Sequence, residues 1–192
     1  MNKNVLKIVF LIGSLSTTLC YANEPALVLG YQSFTHDELW HEKQVGIGVK
    51  NLVQQRLIDK NTFIFNNKKD ADENALLDDE KLTAKNLEKV ATENKLNHIF
   101  WVSIQQFSSA TSRFDIPFLS KAHYDDNLVL KICHYVVETK TTDCQEGEAT
   151  ASRSLSGVLY EPNSKINFNE TAAARLTQSA INEAFSEFFP ND

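Results

Sequence analysis

The sequence predicts an α/β (α+β) fold: a mixed β-sheet packed by about three helices, in the order β-α-β-α-β-β-β-α. Three observations carry this expectation. Two long strand-like segments, Asn127–Glu138 and Cys144–Leu155, flank a polar turn at Thr139–Asp143. Upstream, short apolar runs alternate with segments whose apolar residues recur at helical spacing. The chain then closes on an Ala-rich segment with a single apolar stripe.

Each element has its own reason. Ala26–Leu29 is a continuous apolar run that opens a strand reaching Phe34, as expected of a strand covered on both faces. From about Glu42 to Asp59, Val45, Val49, Leu52, Val53 and Leu57 share one helical face. Gly46 and Gly48 weaken the start of that helix unless they permit close packing on the sheet. Asn61–Phe65 alternates and reads as a short strand. Asn66–Glu80 is polar and acidic and reads as a loop, with a helix able to begin near Asp72. Leu82–Lys95 is a helix with Thr83 as its N-cap and Leu87, Val90 and Ala91 on its buried face. Asn97–Phe107 is a strand, buried at Ile99–Val102.

Ser108–Asp126 reads as a long loop-like insertion that nonetheless carries Phe114, Ile116, Phe118 and Leu119. Long loops are often functional. These four residues are therefore the candidate partner contact, against the plainer reading that they fold back as a core flap. In the hairpin, Asn127–Glu138 is rich in β-branched and aromatic residues. Cys144–Leu155 is small and polar, so one of its faces should meet water. Gly147 within it marks a bulge or a close backbone approach. Val158–Phe168 is a connection, and Asn169 is the expected cap of a final helix, Glu170 to about Phe188.

The first 22 residues have the form of a secretory signal peptide. Lys3 and Lys7 precede an apolar core, Val5–Leu15, and Cys20-Tyr21-Ala22 suits cleavage after Ala22. The apolar run is too short for a membrane span, which takes about 20 residues. Leu19 stands where a lipobox requires a small residue, so Cys20 is not read as a lipid anchor. The mature chain would be one domain, residues 23–192, with 17 basic and 25 acidic residues. That net charge of −8, without a Lys/Arg cluster, argues against nucleic acid or an anionic membrane surface as partner.

Cys133 and Cys144 are the two cysteines beyond the leader. Export to an oxidising compartment favours a disulfide between them. The bond requires a register that sets 133 nearly opposite 144, with the turn at Glu138-Thr139. A turn centred on Lys140-Thr141 would offset the pair beyond reach.

The order of elements resembles the CsgG-like family of bacterial envelope proteins. That family includes penicillin-binding-protein activators and shares its fold with the N-terminal domain of TolB. The resemblance runs through ALVLGYQSF, GIGVKNLVQQRL, TFIF, NLEKVATENKLNHIFWVSIQQF, the hairpin and the final helix. Its hairpin turns on an acidic-x-x-Thr step, here Glu138-Thr-Lys-Thr141. The resemblance implies a non-enzymatic protein-binding module of the envelope or beyond, periplasmic or secreted, and transfers no catalytic residue. A CsgG-type secretion pore is not expected, because the 108–126 segment is too short for two transmembrane hairpins.

No catalytic motif and no cofactor site is read from the residues. His36 and His41, among three carboxylates, are the metal candidates, but His-x4-His is not the zinc-protease spacing and suits a solvated helix start. His134 follows Cys133, yet neighbours on a strand face opposite sides, which argues against a Cys-His nucleophile. Two further readings stand beside the binding module. One is a secreted hydrolase with an unmarked site; the other is a lipid or small-ligand carrier lined by some of the 12 phenylalanines.

Overall fold

A computed structural model describes residues 24–60, 63–65, 82–116, 119–154 and 168–189, with the side chains of 113–122 left aside. The leader, the acidic 66–80 stretch and the 158–167 connection lie outside the described residues, as does Phe118. The elements are β1 (Glu24–Ser33), α1 (Lys43–Asp59), β2 (Phe63–Phe65), α2 (Ala84–Asn94), β3 (His98–Ile116), β4 (Leu119–Val136), β5 (Thr141–Ser154) and α3 (Ala172–Phe188). Short 3-10 turns at Glu38–His41 and Phe168–Glu170 precede α1 and α3. The five strands form one mixed sheet in the order β2-β1-β3-β4-β5. β1 runs parallel to both β2 and β3, while β3-β4 and β4-β5 are antiparallel.

Side-chain alternation divides the core into two layers. On one face, α1 contributes Val45, Val49, Val53 and Leu57, and α3 contributes Leu176, Ala180, Ala184 and Phe185. They pack on Val28 and Tyr31, on Phe100, Val102 and Ile104, and on Leu128, Leu130 and Ile132. On the other face, Leu87 and Ala91 of α2 cover Ile99, Trp101, Cys133 and Tyr135. Each large apolar side chain so buried contributes about 1.5–3 kcal/mol. Thr83 caps α2 as expected, its hydroxyl accepting from the Asn86 N–H at 3.3 Å. α3 is capped by Thr171, whose hydroxyl accepts from Ala174 N–H at 3.1 Å. Asn169 instead lies within the preceding 3-10 turn, and the helix starts at Ala172, two residues later than the sequence expectation of Glu170.

The sequence reading fails most clearly at 108–126. The described parts of this segment are strand: β3 and β4 stay paired from His98↔Val136 out to Ile116↔Leu119. Serines and threonines are frequent there, and residues 108–112, 123 and 125, where the side chains are described, are exposed. One irregularity between Ile104 and Gln106 shifts the alternation of β3. Phe107 and Ser109 thereby join the α1/α3 face, and Phe107 packs on Trp40 with ring centroids 5.3 Å apart.

The hairpin boundaries also move. β4 stops at Val136 and β5 starts at Thr141, so the turn is 137–140 rather than 139–143. The register sets Cys133 opposite Cys144, and the disulfide joins them across Cα atoms 4.1 Å apart. Of the two registers left open by the sequence, the structure has the one centred on Glu138-Thr139. Lys140 closes the turn in the left-handed region, φ 55°.

Two glycines show close packing. A Cβ on Gly147 would lie 1.9 Å from the Ala180 carbonyl oxygen, so α3 sits directly on the backbone of β5. A Cβ on Gly48 would meet the Phe168 ring at 2.1 Å. The partner of Gly48 is therefore the turn before α3, not the sheet.

Candidate functional site

Two features stand out once the layers are in place: the outer edge of β5 and a partly buried histidine pair. β5 is the last strand of the sheet and 14 residues long, and it pairs with β4 without a register shift. In an antiparallel ladder every second residue points its N–H and C=O away from the neighbour. Glu148 identifies which ones. Its N–H donates to Glu183 Oε2 of α3 at 2.7 Å, so the even-numbered residues of β5 face outward. The close disulfide pair at Cys144 fits the same parity, since non-hydrogen-bonded pairs have the shorter Cα separation.

The edge is held firmly from behind. The disulfide ties it to β4 at one end. At the other end, Arg153 donates through Nε to Asp126 Oδ2 at 2.6 Å, and Ser109 donates to Asp126 Oδ1 at 2.6 Å. Asp126 is 1% exposed, and the Arg153 guanidinium lies 4.2 Å from the Tyr124 ring centroid. Ser152 donates to Asp125 Oδ1 at 2.6 Å across the same strand pair. The side chains around the edge are acidic. Asp143, Glu146, Glu148, Glu183 and Glu187 are all exposed or partly so, with Lys131 paired to Glu146 at 3.1 Å.

The second feature is a chain of titratable groups at the start of β1. Glu24 Oε2 accepts from His98 Nε2 at 2.8 Å and from Asn97 Nδ2 at 3.0 Å. His98 Nδ1 lies 2.9 Å from His134 Nε2. The hydrogen bond from Asn97, then that from His98, holds the Glu24 carboxyl below its usual range. Burial, reinforced by the charge of His98, pushes His134 down to about 3. His134 is thus neutral at ordinary pH, whichever ring supplies the shared proton. It stacks on Phe100 at 4.2 Å and meets Phe63 and Phe188 edge-on. A carboxylate orienting an imidazole is the arrangement that acid–base catalysis uses. Here it is enclosed by aromatic rings, and Cys133, the adjacent thiol in sequence, faces the α2 side and is oxidised.

The residues singled out from sequence fall in different places. Cys133 and Cys144 meet in the disulfide. His36 is exposed, whereas His41 donates through Nε2 to the Thr35 carbonyl at 2.8 Å, tying down the turn before α1. Among the described residues no group of three His, Cys, Asp or Glu is placed to hold a metal ion. Phe114 and Ile116 lie at the far end of β3, and Leu119 begins β4. The His98–His134 contact, the Asp126–Arg153 pair and Glu183 were missed. His98 and His134 stand at the ends of apolar strands that the hairpin pairing brings together, a signal visible only once β3 and β4 are aligned.

A shallow groove of about 250 Å³ between α2 and β1 is lined by Leu29, Asn86, Lys89, Val90 and Glu93. Phe63, Phe100, Phe168 and Phe185 are buried within the α1/α3 core. None of the described helices is long and apolar enough to cross a membrane.

No protein-family model matches the chain, and no curated protein sequence does. Its chain path is similar to several solved bacterial proteins. The hypothetical protein CT253 from Chlamydia trachomatis is 13% identical with a TM-score of 0.47, the match covering 87% of this chain and 96% of that one. The lipoprotein GNA1162 from Neisseria meningitidis is 8% identical with a TM-score of 0.45, covering 70% and 86%. The LpoB C-terminal domain from Salmonella enterica is 10% identical with a TM-score of 0.42, covering 69% and 84%.

Proposed function

We propose that this chain is an exported, non-catalytic protein-binding module of the bacterial envelope or the space beyond it, with a CsgG-like, TolB-N-terminal-like domain over residues 23–192. The leader at 1–22 supports export. The observation that carries the binding role is the edge of β5: among the described residues it is the long, regular terminal strand of the sheet, and its outward main-chain groups are of the kind that take an added strand. Its rigid backing reduces the ordering cost of such an encounter. A second surface is the outer end of the β3-β4 hairpin, with Phe114, Ile116, Phe118 and Leu119, favoured by the reach of its ladder beyond the helices.

The two rival activities draw less support. A hydrolase would centre on Glu24, His98 and His134, but those rings are packed against phenylalanines and paired with no available thiol. A lipid carrier would need the phenylalanines around a hollow, whereas four of them fill the core.

Crosslinking and affinity capture from periplasmic and culture-supernatant fractions tests the proposal. One protein recovered with the native chain, and lost on Phe114→Asp or on Thr150→Pro with the fold intact, is the expected result. Recovery of no protein from either fraction, with turnover of a hydrolase substrate panel by the purified chain, overturns it.

A further inference from the structure

We infer that the β5 edge accepts an extended, basic segment of a partner protein, which exchanges a cationic side chain onto Glu183 while its main chain takes over the N–H of Glu148. This rests on the binding-module reading above and adds the chemistry of what is bound.

The argument starts from the one outward group of the edge whose partner is known. Glu148 N–H donates 2.7 Å to Glu183 Oε2. The Glu148 N–H therefore points away from β4 to an acceptor on its outer side, and α3 has placed a carboxylate there. Such a contact blunts an open strand against indiscriminate pairing. It is also exchangeable. Glu183 is exposed and belongs to the adjoining helix, not to the ladder. A lysine or arginine on an incoming strand can pair with the Glu183 carboxylate, and a carbonyl of that strand can then accept the Glu148 N–H. No polar group is left unmatched at the end, so the exchange carries none of the penalty of a buried unsatisfied donor.

Charge selects the occupant. Asp143, Glu146, Glu148, Glu183 and Glu187 give the edge and the adjoining helix surface a negative field. Lys131 is already engaged with Glu146, and Arg153 with Asp126. A second copy of this chain would bring the same carboxylates face to face across a two-fold axis, where like charges on opposed strands repel. An acidic segment would meet the same repulsion. An extended segment with lysine or arginine at alternate positions places its cations on one face and its hydrogen-bonding groups along the edge. Position fits as well: Gly147 lets α3 lie against β5, so Glu183 reaches the strand edge.

The test uses the full mature chain and a fluorescently labelled peptide of alternating lysine and valine, read by anisotropy. Three comparison peptides are glutamate-valine, the lysine-valine peptide N-methylated at alternate residues, and a proline-broken version. Binding should be seen with the lysine-valine peptide alone and should weaken steeply with salt. Glu183→Lys should weaken it roughly tenfold or more. Thr150→Pro removes an outward N–H without touching the β4 pairing, and should also weaken it while the melting temperature holds. Equal binding of the N-methylated peptide, or binding unchanged in both variants, overturns the inference. If a captured partner survives Glu183→Lys and Thr150→Pro but is lost on Phe114→Asp, the edge is excluded while the binding-module reading stands. Self-association that Thr150→Pro abolishes would replace the basic segment by a second copy and likewise overturn it.

Discussion

His98 and His134 meet ring to ring across β3 and β4, Nδ1 to Nε2 at 2.9 Å, with Glu24 holding the far side of His98 at 2.8 Å. β1, β3 and β4 are joined there by one line of polar contacts, the two imidazoles lying among aromatic rings and Glu24 at the partly exposed end.

That geometry makes stability depend on pH in a defined direction. The folded-state pKa of His134 is depressed to about 3, far below its unfolded value near 6.5. Between these values the unfolded chain binds a proton that the folded chain does not. Stability is therefore complete above about pH 6.5 and is lost as pH falls towards 3. Each unit is worth about 1.4 kcal/mol, so the full loss is several kcal/mol. Glu24 acts in the same sense at the acidic end, since its pKa is lowered in the fold. Denaturant unfolding at a series of pH values should show the slope. His134→Phe, which keeps a ring stacked on Phe100, should flatten most of it.

Reduction of Cys133–Cys144 should lower stability by up to about 3 kcal/mol, the chain-entropy value for a loop this short. The Cys133→Ser/Cys144→Ser double variant should unfold at the denaturant midpoint of the reduced protein. A midpoint equal to that of the oxidised chain would show that the bond adds nothing.

Gly147→Ala should be costly despite its size. The added carbon would lie 1.9 Å from a main-chain oxygen of α3 and 2.8 Å from the Ala184 nitrogen, atoms that cannot move aside independently. A loss of about 3 kcal/mol is expected from overpacking, and thermal melting reads it. The Glu183–Glu148 contact should be broken in the same variant, visible as faster amide exchange at Glu148.

Asp126→Ala removes one half of an ion pair and leaves the largely buried Arg153 guanidinium without that carboxylate. A loss of about 3 kcal/mol is expected. Replacing Asp126 and Arg153 together by apolar residues should recover much of it, as a double-mutant cycle would measure.

Much of the fold was legible in the sequence because periodicity reports burial. Val45, Val49, Val53 and Leu57 mark α1, and Leu176, Ala180 and Ala184 mark α3, since each helix presents a single face to the sheet. The outer hairpin was illegible for the converse reason: exposed strand positions need no apolar alternation, and Ser108–Ser112 of β3 are exposed and loop-like in composition. Of the two readings Gly147 allowed, a bulge or a close approach, the structure has the close approach: the ladder runs through it without a shift while α3 occupies the space of a side chain. The candidate edge could not be seen at all. Strand order decides which strand is outermost, and that depends on pairing between residues far apart in the chain. Glu183 was invisible on the same ground, being one exposed carboxylate on an amphipathic helix until α3 is laid along β5.

The covalent cross-link between Cys133 and Cys144 has a consequence for the kind of encounter open to this sheet. If a strand adds at β5 as proposed, the cross-link keeps β4 and β5 together at that end, so the visitor extends the sheet outward rather than replacing β5 there.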